Sequence, residues 1–223
     1  MLLTKVIVWR EVMKSSIRPG RSASSIGQGL ELHGRMRHQI VVRAMHEWKI
    51  RPVSVPELAR FMRHHVYRSL EDLGWIHTEL ADYLAEVLVR FAKTENLFPW
   101  SSVNRQRLAY LVDYLTEIAV QLEGGGSSLK QERALRQQVG DFSLFMSGIF
   151  RDFVRSKGIL DFYLEEGSQS YRRTAELKRR LLEPGAGRFD DLAEHFDRLS
   201  GALDYTCRVY FRSLGAKAKT PGV

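Results

Sequence analysis

The sequence predicts an all-α protein: a single-domain bundle of six to seven mostly antiparallel helices. From Leu30 onward, apolar residues recur at intervals of three and four, and no alternating strand–turn–strand pattern interrupts them. The composition, 44% hydrophobic and 27% charged, is typical of a globular chain. A chain of 223 residues is long enough to bury a core of its own.

Three regions are expected along the chain. Residues 1–29 are predicted to be a basic, loop-rich arm, because residues 15–29 are rich in Ser and Gly and offer little to bury. Residues 30–215 are predicted to form one all-helical domain, and residues 216–223 a flexible tail. No apolar run approaches the 18 or so residues of a membrane span, so we expect a cytoplasmic protein with no membrane partner.

Residues that start or stop helices predict the first two helices. The first covers about residues 30–50 and ends before Pro52, because the residue before a proline disfavours the helical conformation. The second covers about residues 54–73. Ser54 followed three residues later by Glu57 is a capping box, which favours a helix start at this position.

The remaining helices are predicted from apolar periodicity. The third and fourth cover about residues 76–93 and 103–122, and a Gly/Ser connector at 124–128 follows them. A fifth helix starts at Leu129 and includes the apolar stretch 139–154. The sixth covers about 160–182. The last helix carries one apolar seam: Leu192, Phe196, Leu199, Leu203, Cys207, Tyr210 and Leu214.

Small residues predict close packing between the fifth and sixth helices. Gly140, Ser143 and Ser147 lie along one flank of the apolar stretch, where another helix can approach. Gly167 lies in the middle of the apolar face of the sixth helix. Glycine there costs about 1 kcal/mol relative to alanine, a cost that close backbone approach usually offsets. We therefore expect these two helices to be antiparallel neighbours that touch at these four residues.

Asp141 stands out because it follows Gly140 at the front of this apolar stretch. On a helical wheel it falls opposite the broad apolar face, so we interpret it as a helix-start cap or an exposed break.

The same residues carry a family resemblance, through a G-D-x-x-L-F motif and two later dipeptides. The residues are Gly140-Asp141, Leu144-Phe145, Phe162-Tyr163 and Ser170-Tyr171. The pattern resembles one found in bacterial all-helical proteins of unknown function and covers about a fifth of the chain. The resemblance implies an all-helical fold and carries no function with it.

Catalytic and metal signatures are missing from the sequence. The seven histidines include no i, i+4 pair, and neither HExxH nor Glu-x-x-His occurs. The GxSxG, GxxxxGK[ST] and GxGxxG motifs are also absent. Cys207 lies on the apolar seam of the last helix, where a buried core role is favoured. We therefore predict no catalytic residue, no metal site and no cofactor.

Aromatic residues cluster on the fifth and sixth helices and form the candidate set for a ligand pocket. The set is Phe142, Phe145, Phe150, Phe162, Tyr163 and Tyr171. Rings at such positions can line a site for a lipid or a flat molecule. Packed aromatic residues are more often simply core.

A nucleic-acid site is a further alternative. Residues 1–51 hold ten Lys or Arg against three acids, and so carry seven of the eight net positive charges. Residues 54–76 resemble part of a winged helix-turn-helix, although Arg63 stands where its turn requires glycine. The candidate phosphate contacts are Arg35, Arg37, Arg43, Arg60, Arg63 and Arg68.

The function that the sequence favours is a non-enzymatic helical protein-interaction or regulatory module, with a protein partner or self-association as a homodimer. A nucleic-acid-binding protein and a helical receptor for a small ligand or lipid are the alternatives.

Overall fold

The computed structural model describes residues 54–92, 111–123 and 128–211. The chain divides into two compact units, Met1–Ser54 and Val55–Val223, and the described helices all belong to the second. The predicted arm at 1–29, the first helix at 30–50 and the tail at 216–223 lie outside the described residues. So do the predicted boundary at residue 30 and the candidate arginines Arg35, Arg37 and Arg43.

The all-α prediction is confirmed for the described residues, which contain no strand. Eight helices are described there and are numbered here in chain order. They are α1 Val55–Asp72, α2 Thr78–Phe91, α3 Leu111–Glu123, α4 Leu129–Ile149, α5 Arg151–Ser156, α6 Leu160–Arg180, α7 Ala186–Glu194 and α8 Phe196–Thr206. Helix α8 continues into a π-helical turn, Cys207–Phe211.

Helices α1 and α2 begin and end close to the predicted residues, because local signals set these ends. Gly74, with φ +65°, adopts a left-handed conformation that suits glycine and terminates α1. The His77 side chain caps α2 by accepting a hydrogen bond from the Leu80 N–H at 3.4 Å. At α4, Ser128 and Gln131 form a capping box in which each side chain binds the other's backbone N–H.

Two of the predicted helices are each broken in the structure, so the single helices expected there were wrong. Phe150, with φ −108° and ψ +28°, separates α4 from α5. His195, with φ −101° and ψ +16°, separates α7 from α8. At both breaks the apolar spacing continues through the interruption. Periodicity alone therefore could not reveal these two breaks.

Helix α4 lies at the centre of the core, and every residue from Val139 to Phe150 is buried. It runs antiparallel to α6: Glu132 near its start pairs with Arg173 at 2.8 Å, while Phe142 packs against Tyr163 near the start of α6. It also contacts α2, α3 and α8. The apolar stretch thus belongs to the core helix against which α2, α3, α6 and α8 pack.

The four residues predicted to allow close packing are all buried, but they do not share one partner. A Cβ atom on Gly140 would lie 2.5 Å from the Tyr171 ring of α6. Gly167 faces the Phe196 ring of α8, which supplies the three atoms nearest to a Cβ at this position. Ser143 is buried on α4, and the Ser147 hydroxyl binds the Ser200 hydroxyl of α8 at 2.9 Å.

We predict that Gly167→Ala destabilises the protein by about 1–3 kcal/mol, because the added methyl group would overlap the Phe196 ring. Gly201→Ala is the matched control, since Gly201 lies within α8 and a Cβ there meets nothing within 4 Å. We expect the control to leave stability unchanged or raise it by up to about 1 kcal/mol. Urea unfolding measures both changes, and equal effects would mean that Gly167 makes no close contact.

Candidate functional site

Asp141 is completely buried inside α4, so its interpretation as a helix-start cap or exposed break was wrong. Helix α4 begins at Leu129, and Asp141 lies well within it. The helical wheel assigns polar residues to solvent, whereas here the polar partners come from other helices. A buried carboxylate is costly unless it is paired and hydrogen-bonded, so its partners define the site.

Three donors from two other helices meet the Asp141 carboxylate. Tyr83 of α2 donates its hydroxyl to Oδ1 at 2.6 Å, and Tyr171 of α6 donates to the same oxygen at 2.8 Å. Arg90 of α2 donates from Nη1 to Oδ2 and forms an ion pair. One carboxylate therefore joins α2, α4 and α6.

Gly140 makes the Tyr171 hydrogen bond possible. The ring of Tyr171 lies where a Cβ atom of residue 140 would project, so a larger residue would push the ring away. Gly140 and Asp141 thus act together. Gly140 leaves space for the Tyr171 ring, and Asp141 accepts the hydrogen bond from the Tyr171 hydroxyl. This relation gives a physical reason for the Gly-Asp pair.

The network extends from the carboxylate to α7. Gln137 donates from Nε2 to the Tyr83 hydroxyl at 3.2 Å and accepts a hydrogen bond from Arg133 at 3.2 Å. Phe189 of α7 packs edge-on against Tyr83, with ring centres 5.6 Å apart, and against Tyr171 at 5.8 Å. The Phe189 ring therefore packs against both tyrosines that donate to Asp141.

Burial dominates the electrostatics of these groups. It raises the pKa of Asp141, while the Arg90 guanidinium and the two tyrosine hydroxyls oppose that shift. Burial also raises the pKa of Tyr83 and of Tyr171 well above the usual tyrosine value, and the adjacent carboxylate adds to the effect. Both hydroxyls therefore stay protonated and remain donors at any physiological pH.

The arrangement is suited to holding helices together rather than to chemistry on a substrate. Oδ1 accepts two hydroxyl hydrogen bonds and Oδ2 accepts from Arg90, so both carboxylate oxygens are engaged. Arg90 is one-third exposed and connects the network to the surface. In the part of the chain that the structure describes, no three His, Cys, Asp or Glu side chains form a group that could hold a metal ion.

A second buried polar chain joins α8 to α1 and α4. Thr206 donates to the Ser69 hydroxyl at 2.7 Å, and Ser200 binds Ser147. Arg151, which follows the break at Phe150, donates to the Ser200 hydroxyl at 2.8 Å. The α4 break thus directs a guanidinium toward a buried hydroxyl.

The structure brings most of the candidate pocket aromatics together as packed core. Phe142 packs against Tyr163, with ring centres 6.3 Å apart, and Phe145 packs against Phe150 at 5.5 Å. Tyr171 belongs to the Asp141 network instead, and Phe162 is 41% exposed on α6. The six rings therefore do not surround one common space.

The described nucleic-acid candidates lie on the surface of α1, and two of them are paired. Arg63 forms an ion pair with Asp82 of α2 at 2.6 Å, and Arg68 pairs with Glu71 at 3.0 Å. Arg60 is exposed. Pairing reduces the positive charge that α1 offers to a phosphate backbone.

Sequence reasoning missed Tyr83 and Arg90, the α2 partners of Asp141. A signal did exist, because they lie seven residues apart and so occupy one face of α2. That face is otherwise apolar, with Leu80, Leu84 and Val87 buried around them. Two polar side chains on a buried face predict a buried polar partner on a neighbouring helix.

The fold and the site together define a class: an all-α protein organised around a buried carboxylate that three helices share. No protein-family model, curated protein or solved structure matches the chain. The resemblance of the G-D-x-x-L-F motif to bacterial all-helical proteins therefore stays a prediction. Among the helices that the structure describes, none has the length and apolar character needed to cross a membrane.

The raised pKa of Asp141 predicts how its contribution to stability depends on pH. Above the usual aspartate value of 3.8, the unfolded chain releases this proton before the folded chain does. The contribution of Asp141 to the free energy of unfolding is therefore largest below that value. It decreases as the pH rises from that value through the folded-state pKa. Each unit of pKa shift corresponds to about 1.4 kcal/mol.

We therefore predict that the unfolding free energy of the wild type minus that of Asp141→Asn decreases as the pH rises above 3.8. The asparagine variant cannot titrate at this position, so the subtraction cancels the other ionisable groups. Urea unfolding at several pH values measures the difference. If it grew with pH, Arg90 and the tyrosines would outweigh burial and the pKa would be lowered.

Proposed function

We propose that this chain is a non-enzymatic, cytoplasmic helical-bundle module that binds a protein partner through the turn between α1 and α2. The turn comprises Leu73, Gly74, Trp75 and Ile76 and is called the 73–76 turn below. The observation that carries the proposal is the exposure of its apolar side chains: Ile76 is 69% exposed and Leu73 is 43% exposed. Adjoining apolar side chains exposed on one surface often mark a contact site for another protein.

Backbone hydrogen bonds hold the 73–76 turn in one conformation. The Gly74 N–H donates to the Glu71 carbonyl at 2.9 Å, and the Trp75 N–H donates to the Leu70 carbonyl at 2.9 Å. With Gly74 at φ +65°, this is the usual glycine-terminated helix end. A partner would meet a preformed surface and would lose less conformational entropy in ordering it.

Trp75 packs against two side chains of the α8 region and holds a cation beside the turn. The guanidinium of Arg198 lies 4.4 Å from the centre of the indole, and the His195 ring packs edge-on at 5.2 Å. An arginine stacked on an aromatic face still presents its N–H edge, which can bind a carboxylate. Tryptophan and arginine are also the residues most enriched at the energetic centre of protein interfaces.

The chemistry of the turn specifies the partner. Ile76 and Leu73 fit apolar side chains, and Arg198 fits an aspartate or glutamate. We therefore propose a partner segment that combines an apolar residue with an acidic residue about one helical turn away.

The two alternatives have less support. Ion pairs engage Arg63 and Arg68, which a nucleic-acid site on α1 would need for phosphates. Phe142, Phe145, Phe150 and Tyr163 pack against other aromatic rings, which suits core rather than a ligand-lined space.

The test is selection of peptides from a displayed random library on the purified full-length chain. We expect enriched peptides to carry an acidic residue near an apolar one. Ile76→Asp and Arg198→Gln should each weaken binding about tenfold or more, or about 1.4 kcal/mol. Val112→Asp is the matched control: Val112 is a 58% exposed apolar residue on α3, and its replacement should leave binding unchanged.

Two results would contradict this proposal. Peptides that bind Ile76→Asp and Arg198→Gln as tightly as the wild type would place the contact elsewhere. A homodimer in sedimentation equilibrium that Ile76→Asp dissociates would make a second copy of this chain the occupant.

A further inference from the structure

We propose a second binding site, for a multiply charged oxyanion, formed by Arg133 of α4, Lys178 of α6 and Arg188 of α7. These three residues are called the cationic site below. It uses none of the residues of the 73–76 turn, so it stands independently of the proposed protein contact. Phosphate and carboxylate groups share the oxygen chemistry that such a site would recognise.

Lys178 links the three cations, because it shares one carboxylate with Arg133 and one aromatic ring with Arg188. Arg133 Nε lies 3.4 Å from Glu183 Oε2, and Lys178 Nζ lies 3.2 Å from the same oxygen. Lys178 Nζ and the Arg188 guanidinium lie 5.8 and 5.7 Å from the centre of the Phe189 ring. Side chains from three helices and the loop after α6 thus form one cluster.

Positive charge exceeds negative charge in this cluster, and the cations are largely buried. The side chains of Arg133, Lys178 and Arg188 are 24%, 13% and 32% exposed. Glu183 is shared by two of them. Arg188 faces Glu79 at 3.9 Å, but Glu79 is 58% exposed, so solvent screens that pair. Cations at such burial are ordinarily matched by anions.

Three guanidinium Nε groups in and beside the site make no hydrogen bond, although two of them lie within ion-pair distance of a carboxylate. Among the described residues, the Nε atoms of Arg133 and Arg188 are buried without a hydrogen-bond partner, as is that of Arg136. Arg136 lies one turn from Arg133 on α4. Most buried side-chain polar atoms in proteins are hydrogen-bonded, so these unsatisfied donors indicate a ligand rich in oxygen acceptors.

Glu183 serves as the internal anion that a ligand would replace. It follows Leu182, which has φ +55° and a side chain 93% exposed. A leucine in this left-handed conformation is strained, because its Cβ crowds the backbone. Movement of the loop would relieve that strain and withdraw Glu183 from Arg133 and Lys178. An entering oxyanion therefore competes with a carboxylate held by a strained loop.

The experiment is calorimetric titration of the full-length chain with inorganic pyrophosphate, at an ionic strength held constant with chloride. We expect saturable binding of one pyrophosphate per chain, weakened at least tenfold in Arg133→Gln and in Arg188→Gln. Arg172→Gln removes an exposed arginine of α6 and should bind like the wild type. Glu183→Gln should bind several-fold more tightly, because the internal competitor loses its charge.

The Glu183→Gln variant separates a binding site from a structural ion-pair cluster. If it binds no more tightly than the wild type, Glu183 is not a competitor and the proposal fails. Equal weakening by Arg172→Gln would mean attraction to overall basicity, and absence of binding to both wild type and Glu183→Gln would also overturn the site. Citrate titrated in parallel assigns the source: binding comparable to pyrophosphate indicates a carboxylate ligand, and much weaker binding a phosphate. Thermal unfolding checks that each variant is folded.

Discussion

The Asp141 carboxylate is the constraint on which the rest of this helical unit depends. Removing a carboxylate from water costs several kcal/mol, and its hydrogen bonds must compensate for that cost. Tyr83 and Arg90 supply them from α2, and Tyr171 from α6. Any packing of these helices that loses a donor leaves the buried charge poorly satisfied. The carboxylate thus favours one mutual arrangement of α2, α4 and α6, whereas apolar contacts alone would tolerate several.

The two proposed surfaces relate to this centre in different ways. The 73–76 turn owes its order to the local hydrogen bonds that end α1 and to the stacking of Trp75 against Arg198. The cationic site is joined to the centre directly, because Gln137 binds both Arg133 and the Tyr83 hydroxyl. A ligand that engaged Arg133 would therefore act on a residue already connected to the buried network.

The sequence predicted well what local signals determine and missed what distant contacts determine. Apolar spacing and capping residues placed α1, α2 and α6 within a few residues, and they placed the start of α4. The breaks at Phe150 and His195 were missed because the apolar pattern runs through them. Asp141 was missed because its tyrosine partners lie 58 and 30 residues away in sequence. Nor could the sequence show that Lys178 is largely buried, because the Glu183 carboxylate and the Phe189 ring that lie beside it come from other parts of the chain.

Hydrogen exchange of the native protein tests the central claim most directly. Asp141→Ala leaves two tyrosine hydroxyls and Arg90 without their shared acceptor, so the account predicts loss of amide protection in α2, α4 and α6 together. Asp152→Ala is the matched control, because it removes an exposed aspartate of α5 that pairs with Arg208, and it should affect only its own neighbourhood. Faster exchange confined to α4, with α2 and α6 as protected as in the wild type, would contradict the account.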